Sequence, residues 1–552
     1  MADGIDLNPV EKLSRAQLKR LTAVHGWSGV ILGLVLYVVV FTGAVSVFGS
    51  DLNSWSSGGD GSRPLLVELG GIDRRVREIV EHTPKGYLKR VIIYANPRGE
   101  MIIAPYGMAM NEDLDEIRPY GTIYHLNPET GERLSRADGF IFDRLENFET
   151  SALEHFIVDL HEALYLPDPW GRIVTGIMGL LVMAAGLTGF LMHRHLIRDL
   201  FVAARHGERL VTSRDRHVLA ASWSLVFAFL LGFTGSFYSF SGPLIRPLVA
   251  ETAFGGNMEA MRAALFQTKA VPDATPAQVV DLDALVARST AEIQTPAYFM
   301  RVDNWGRADG RISVYHRPPD GDMVRVQNIF RASDGQPFGP KPRIGNAPSL
   351  GADLYGLMRP LHFGDFGGVL SKSIWVGLGV AMCYVIVSGL RLWVRRREDG
   401  PLWRKYARAV AVTTYGLPLA LLICTWFYFP ALAAGDPFFW TPVGFFAGCG
   451  AAILFGVFTD ETRLIGRFRR MIAVGCLGLP VLRLGCGGTG WAESLAKGNP
   501  TPMSVDVAFL VIGLGLWLWS HRADGIRNDA DASLATEPAE WQSTERESPT
   551  VV

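Results

Sequence analysis

The chain has 552 residues, 49% of them hydrophobic and only 19% charged, with positive mean hydropathy. That balance lies outside the usual soluble range and marks an integral membrane protein. Lys+Arg (53) and Asp+Glu (54) nearly cancel, which leaves no bulk charge to attract nucleic acid. Five cysteines (Cys383, Cys424, Cys449, Cys476, Cys486) lie in or beside apolar runs, without the spacing of a disulfide framework or an iron–sulfur site.

Residues 1–24 are read as a cytoplasmic segment carrying Lys12, Arg15, Lys19 and Arg20 ahead of the first apolar run, Trp27 to Phe48. That run is longer than the apolar core of a secretory signal and no small-x-small cleavage site follows, so it predicts an uncleaved anchor. About 20 apolar residues are needed to cross a hydrocarbon core about 30 Å thick. Ile173 to Met192, Val218 to Phe240 and Ser373 to Trp393 satisfy this as well. A C-terminal block, 409–520, predicts about four more helices: Ala409 to Phe429, Phe438 to Phe458, Met471 to Cys486 and Val505 to Trp519, the last three shorter or interrupted by Gly, Pro or Arg483.

Basic residues fall on alternate connections, as the positive-inside rule requires. Arg194 to Arg216, Arg395 to Arg408 and Arg463 to Arg470 supply them. Both termini are therefore expected in the cytoplasm, with 521–552 a disordered tail. The predicted order is a first span 25–48, an outward domain 49–150, a second span with its preceding helix 151–195, a cytoplasmic loop 196–216, a third span 217–240, a second outward domain 241–360 and a fourth span 361–397. The expected fold is a mainly α-helical polytopic membrane protein of about eight helices, with two periplasmic α+β domains and a four-helix core built from two helix-domain-helix repeats.

Each outward connection is too long for a simple loop. In the first, IDRRVREIVEH has helical periodicity, LKRVIIYA and GEMIIAP read as strands, and GTIYHLNPETGERL reads as strand, turn, strand. The second repeats the order, with LDALVARSTAEI as helix, AYFMRVDNW and GRISVYHR as strands, and VRVQNIFRASDGQPF as strand and turn.

The spans repeat too. At an offset of 192, Phe41-Thr42-Gly43 falls on Phe233-Thr234-Gly235 and His25 falls on His217 without a gap. Leu160-His161 and Leu361-His362 precede Gly189 and Gly389 by nearly the same distance. Two similar halves paired about a pseudo-two-fold axis would set His25 opposite His217 at the cytoplasmic mouth and His161 opposite His362 at the outer mouth.

Intramembrane ionisable residues are costly and usually functional. Two neutral imidazoles from separate helices can supply both axial ligands of a haem iron in a helix bundle. A proton relay is the other use of stacked histidines, but relays recruit mid-membrane carboxylates, and the first four spans contain none. His193 stands at the same level as His25 and competes with His217 as its partner, although its counterpart at offset 200 is Trp393. His155 is a second reserve candidate. Arg172 and Arg194 could fork onto haem propionates. His82, His125, His206, His316 and His521 read as ordinary surface residues.

HGWSG followed by FTG, FIVDLHEALYLPDPWGRIVTGIMGLLVMAAGLTGFLMHRH, RDRH before the third span and the LNPETGERL turn resemble the PepSY-associated membrane proteins, which include ferri-siderophore reductases of the bacterial inner membrane. The resemblance runs from about residue 15 to 397. It implies two b-type haems held by His25, His217, His161 and His362, and electrons passed from a cytoplasmic or quinone donor to a ferric siderophore in the periplasm. The near-balanced charge gives no reason to expect a nucleic-acid partner. No GxGxxG follows a strand, so the reductant is external. The competing readings are a PepSY membrane module that binds a periplasmic protein or peptide, and a transporter.

Overall fold

The computed structural model describes residues 14–57, 66–69, 71–96, 100–112, 116–141, 151–192, 209–266, 271–318, 322–324, 326–338, 344–345, 347–397, 399–496 and 498–536. Helix α1 (Arg15–Ser46) begins at a capping box, in which Ser14 Oγ accepts from the Gln17 N–H at 3.2 Å and the Ser14 N–H donates to Gln17 Oε1 at 2.8 Å. A short helix, α2 (Gly49–Ser57), follows it. Further along, α4 (Ala152–Ala163) leads into α5 (Trp170–Met192), α6 (Arg209–Phe240) forms the third span, and α8 (Leu350–Phe363) leads into α9 (Gly368–Arg395).

Four of these helices close a ring: α1 packs on α5 and α9, and α6 packs on the same two. Small residues let the backbones approach, as is usual for helices that meet in lipid. On α5 and α6, a Cβ added at Gly179 would meet Gly232 O at 2.7 Å, and one added at Gly232 would meet Gly179 O at 2.8 Å. The ring has two ends. Both long connections leave from one, here called the sheet end, and the other is the far end.

At the sheet end the two long connections make a single structure. Strands β1 (Arg90–Ala95), β2 (Met101–Asn111), β3 (Glu116–Leu126) and β4 (Arg133–Phe140) come from the first connection, and β5 (Ala297–Asp303), β6 (Arg311–His316) and β7 (Val326–Arg331) from the second. They form one antiparallel seven-stranded sheet in the order β4-β3-β2-β1-β5-β6-β7. The seam is β1 on β5, with Arg90 opposite Asp303 and Ile93 opposite Met300. The two expected α+β units thus share one sheet, for a physical reason: β1 and β5 would each be an exposed edge if the units stood apart, and pairing removes both edges.

Helices α3 (Ile72–Glu81) and α7 (Leu282–Ile293) cover one face. Val76, Val91, Ile93, Leu285, Met300 and Val314 are buried in the core between them and the sheet. The helices cap each other: the Asp283 carboxylate accepts from the Ile72 and Asp73 N–H groups at 2.9 and 3.0 Å, and Asp73 accepts from the Leu282 N–H at 3.2 Å.

The C-terminal block consists of α10 (Pro401–Ala434), α11 (Pro437–Phe458), α12 (Glu461–Gly485) and α13 (Thr501–Thr536). Seven described helices are long and apolar enough to cross a membrane. The exception is α12, the segment predicted from Met471 to Cys486, because its uncharged stretch is confined between Arg470 and Arg483. Arg483 is fully buried against Asp506. The tail expected to be disordered from residue 521 continues instead as helix to Thr536, through the helix-forming alanines of RADGIRNDADASLAT; 537–552 lie outside the described residues.

Candidate functional site

Each half of the ring carries two histidines, one near each end. His25 is on α1 and His217 on α6, both toward the far end. His161, on α4, and His362, on α8, enter the ring at the sheet end. Along α1 the far-end and sheet-end levels are separated by the stretch from His25 to Thr42, about 25 Å of helix at about 1.5 Å per residue.

Every one of the four rings is anchored through Nδ1 to a neighbouring helix. His25 Nδ1 lies 3.0 Å from Thr188 Oγ1 on α5, and His217 Nδ1 lies 3.0 Å from Ser388 Oγ on α9. At the sheet end, His161 Nδ1 is 2.9 Å from the Val39 carbonyl on α1, and His362 Nδ1 is 2.9 Å from Thr234 Oγ1 on α6. The Val39 carbonyl can only accept, so His161 carries its proton on Nδ1. Thr234 Oγ1 donates to the Leu230 carbonyl at 2.7 Å, which leaves its lone pairs for His362 Nδ1–H. These bonds direct Nε2 away from the anchoring helix as the remaining donor atom.

Each ring also rests on a glycine. An added Cβ would approach the ring Cε1 at 2.6 Å for Gly43 under His161, 3.3 Å for Gly235 under His362, 3.1 Å for Gly389 under His217 and 3.7 Å for Gly189 under His25. Gly43 and Gly235 belong to the two FTG motifs, while Gly189 and Gly389 directly follow the hydroxyl anchors Thr188 and Ser388.

The structure therefore brings His161 and His362 together from opposite repeats, with ring centroids 6.2 Å apart and planes 25° from parallel. His25 and His217 stand on α1 and α6, which both pack on α5 and α9, the helices that anchor their rings. His193, Arg194 and His206 lie outside the described residues. His155 faces the C-terminal block, 6.2 Å from Phe438. Arg172 pairs with Glu162 and Asp168 at 3.1 and 3.2 Å, so carboxylates of its own chain occupy the role considered for it.

His316 corrects another expectation: it is fully buried beneath α7, with Nε2 2.7 Å from Ser289 Oγ and Nδ1 2.7 Å from the Thr295 carbonyl. Sequence reading used the glycines only as alignment marks and overlooked Thr188 and Ser388. The signal was present, because the two hydroxyls coincide at the same offset of 200 that aligns Gly189 with Gly389.

A family model described as the PepSY-associated TM region matches residues 22–396. The chain belongs to that family. The PepSY-associated TM match encloses the four-helix ring, the sheet and all four histidines, and ends where the C-terminal block begins. An uncharacterised protein of Pseudomonas aeruginosa is 24% identical over 267 residues, covering 44% of this chain and 64% of that protein. The match thus spans less than two thirds of the relative's length.

Proposed function

We propose that this protein binds two haem b groups, one between His25 and His217 and one between His161 and His362, and passes electrons across the bacterial inner membrane to a ferric siderophore in the periplasm. The observation that carries this reading is the separation of the sheet-end rings. Two imidazoles sharing one metal in line, each nitrogen about 2 Å from it, have centroids about 6.3 Å apart; His161 and His362 are 6.2 Å apart. A directly hydrogen-bonded pair of rings would sit closer.

The remaining features fit the same group. Anchoring Nδ1 fixes the tautomer and aims Nε2, the usual outer-shell arrangement of a metal-bound histidine. The glycines leave room beside the rings for a flat macrocycle. A bound haem supplies reversible one-electron chemistry, and the protein sets its position and potential. The ring supplies a low-dielectric interior whose apolar stretches, 27–48, 173–192, 218–240 and 373–393, carry no carboxylate, and its two histidine levels divide the membrane thickness into shorter steps. Reduction of a ferric chelate loosens iron held by hard oxygen ligands, so a one-electron donor at the sheet end suffices for release. With haem held by the four histidines, a cytoplasmic or quinone donor would supply the electron at the arginine-rich far end.

Optical spectroscopy of the purified protein tests the proposal. Reducible haem bands corresponding to two haems per chain are expected. Replacing His362 by Ala should remove one haem and replacing His217 should remove the other. A folded, colourless preparation overturns the reading.

A further inference from the structure

The C-terminal block meets the ring at the far end around a cavity of about 220 Å³ between α9, α10 and α12. Four arginines line it: Arg391 and Arg395 from α9, and Arg404 and Arg408 from α10. One carboxylate, Glu461, shares the wall, so the local formal charge is three positive. Three of the guanidinium groups are pinned in place. Arg395 Nη1 donates to Ser213 Oγ at 2.6 Å, Arg404 Nη1 to the Asp399 carbonyl at 3.0 Å, and Arg408 Nη1 to the carbonyls of Gly456, Val457 and Thr459 at 2.8 to 3.1 Å.

Like charges held around one cavity repel, and an anion shared among them relieves that repulsion. A second feature points the same way. Glu461 opens α12, a 25-residue helix whose Asp460 cap makes no side-chain bond to the first turn, so the positive end of the helix also faces this region. The rest of the wall is apolar, including Val394, Ala411 and Leu464, and the cavity lies at the ends of α9 and α10, both long and apolar enough to cross a membrane.

We infer that this cavity binds the phosphate of an anionic phospholipid, whose acyl chains extend from it along the apolar surface of the helices. Basic pockets between membrane helices suit such headgroups. The lipid would cement the block, which lies outside the family match, onto the ring. This inference stands independently of any cofactor at the histidines.

The test uses the full chain, delipidated in detergent and supplied with phosphatidylglycerol or phosphatidylcholine, with bound lipid read by native mass spectrometry. Phosphatidylglycerol should be retained and phosphatidylcholine, whose choline cancels the phosphate charge, should be lost. Arg391→Gln combined with Arg404→Gln should weaken phosphatidylglycerol binding about thirtyfold. Glu461→Gln should tighten it severalfold, a gain that a misfolded protein cannot give. Glycerol phosphate at millimolar concentration should leave the lipid in place. Equal retention in wild type and both variants overturns the site, and displacement by glycerol phosphate overturns the lipid in favour of a soluble phosphate compound.

Discussion

Gly43 lies directly under the ring of His161, so near that a Cβ at this position would stand 2.6 Å from the ring Cε1. The corresponding approach at Gly189, under His25, is 3.7 Å, an ordinary van der Waals contact. Alanine at 43 must therefore push His161 off its Val39 carbonyl, whereas alanine at 189 fits. On the proposed function, Gly43→Ala should remove or strongly perturb the sheet-end haem signal while sparing the far-end one, and Gly189→Ala should leave both intact. Comparable spectra for the two variants would refute the close packing at Gly43.

Thr42 and Thr234 occupy equivalent places in the two FTG motifs, yet they do different work. Thr234 holds His362 Nδ1, whereas Thr42 bonds back to the Val38 and Val39 carbonyls of its own helix and His161 uses the Val39 carbonyl directly. Thr234→Val should release the His362 ring and leave a buried N–H unpaired, at about 1–3 kcal/mol. Thr42→Val should cost less than 1 kcal/mol, because the hydroxyl it removes is satisfied only locally. The thermal unfolding midpoint and the spectrum of the sheet-end site, measured on both variants, will check the asymmetry.

The repeat explains what could be read from the chain. A gapless offset that carries His25-to-FTG onto His217-to-FTG fixes both the helical phase and the depth of two residues at once, so the histidine levels follow from counting. Strand positions followed from the short runs rich in β-branched and aromatic residues in RVIIYA and RISVYH. The seam was invisible because β1 and β5 are about 200 residues apart, and nothing local records which edge a strand will meet. His316 was misread for a related reason: its burial depends on α7 folding over β6, while its sequence neighbours, Tyr315 and Arg317, look like an ordinary strand end.

The reciprocal caps at the seam make a separate prediction. Asp283 accepts from two backbone N–H groups of α3, and Asp73 accepts from one of α7 while pairing with Arg77 at 2.6 Å. Asp283→Ala should cost about 1–2 kcal/mol, the usual range for a lost helix cap. The double variant Asp73→Ala with Asp283→Ala should cost less or more than the sum of the singles, because both caps lock the same pair of helices. A double-mutant cycle on the melting of the sheet, followed by hydrogen exchange of the β1 and β5 amides, will measure the coupling; strict additivity would count against it.

His316 gives the sheet a pH dependence. Burial holds its pKa below the ordinary value of about 6.5, because the ring must stay neutral in the folded state. The unfolded chain takes up a proton first as pH falls, so this contribution is fully present above about pH 6.5 and is lost as pH drops below it. The protection factors of the β6 and β7 amides, observed exchange corrected for the intrinsic chemical rate, should fall between pH 7 and pH 5. His316→Gln should flatten the profile; an unchanged slope in that variant would assign the effect elsewhere.

Asp506 is the hub that fastens the C-terminal block to the connection leaving α1. It is fully buried and accepts from Arg483 Nη2 at 2.6 Å, Trp55 Nε1 at 2.7 Å and Trp491 Nε1 at 2.7 Å, while Arg483 Nη1 donates to the Thr489 carbonyl at 2.9 Å. Asp506→Ala leaves a buried guanidinium without its counter-charge, for which about 3–5 kcal/mol is the expected cost. Replacing the pair together, Arg483→Met with Asp506→Leu, should recover much of that loss, because the uncompensated charge and not the missing attraction dominates. Trp55→Phe keeps the ring packing on Phe429 and Phe509 and should cost only about 1 kcal/mol for the lost hydrogen bond. Thermal unfolding in one detergent should rank the variants Asp506→Ala lowest, the double replacement intermediate and Trp55→Phe nearest wild type. If the double replacement is as unstable as Asp506→Ala, the cluster acts through specific hydrogen bonds to the two indoles, and those bonds become the feature that holds the block in place.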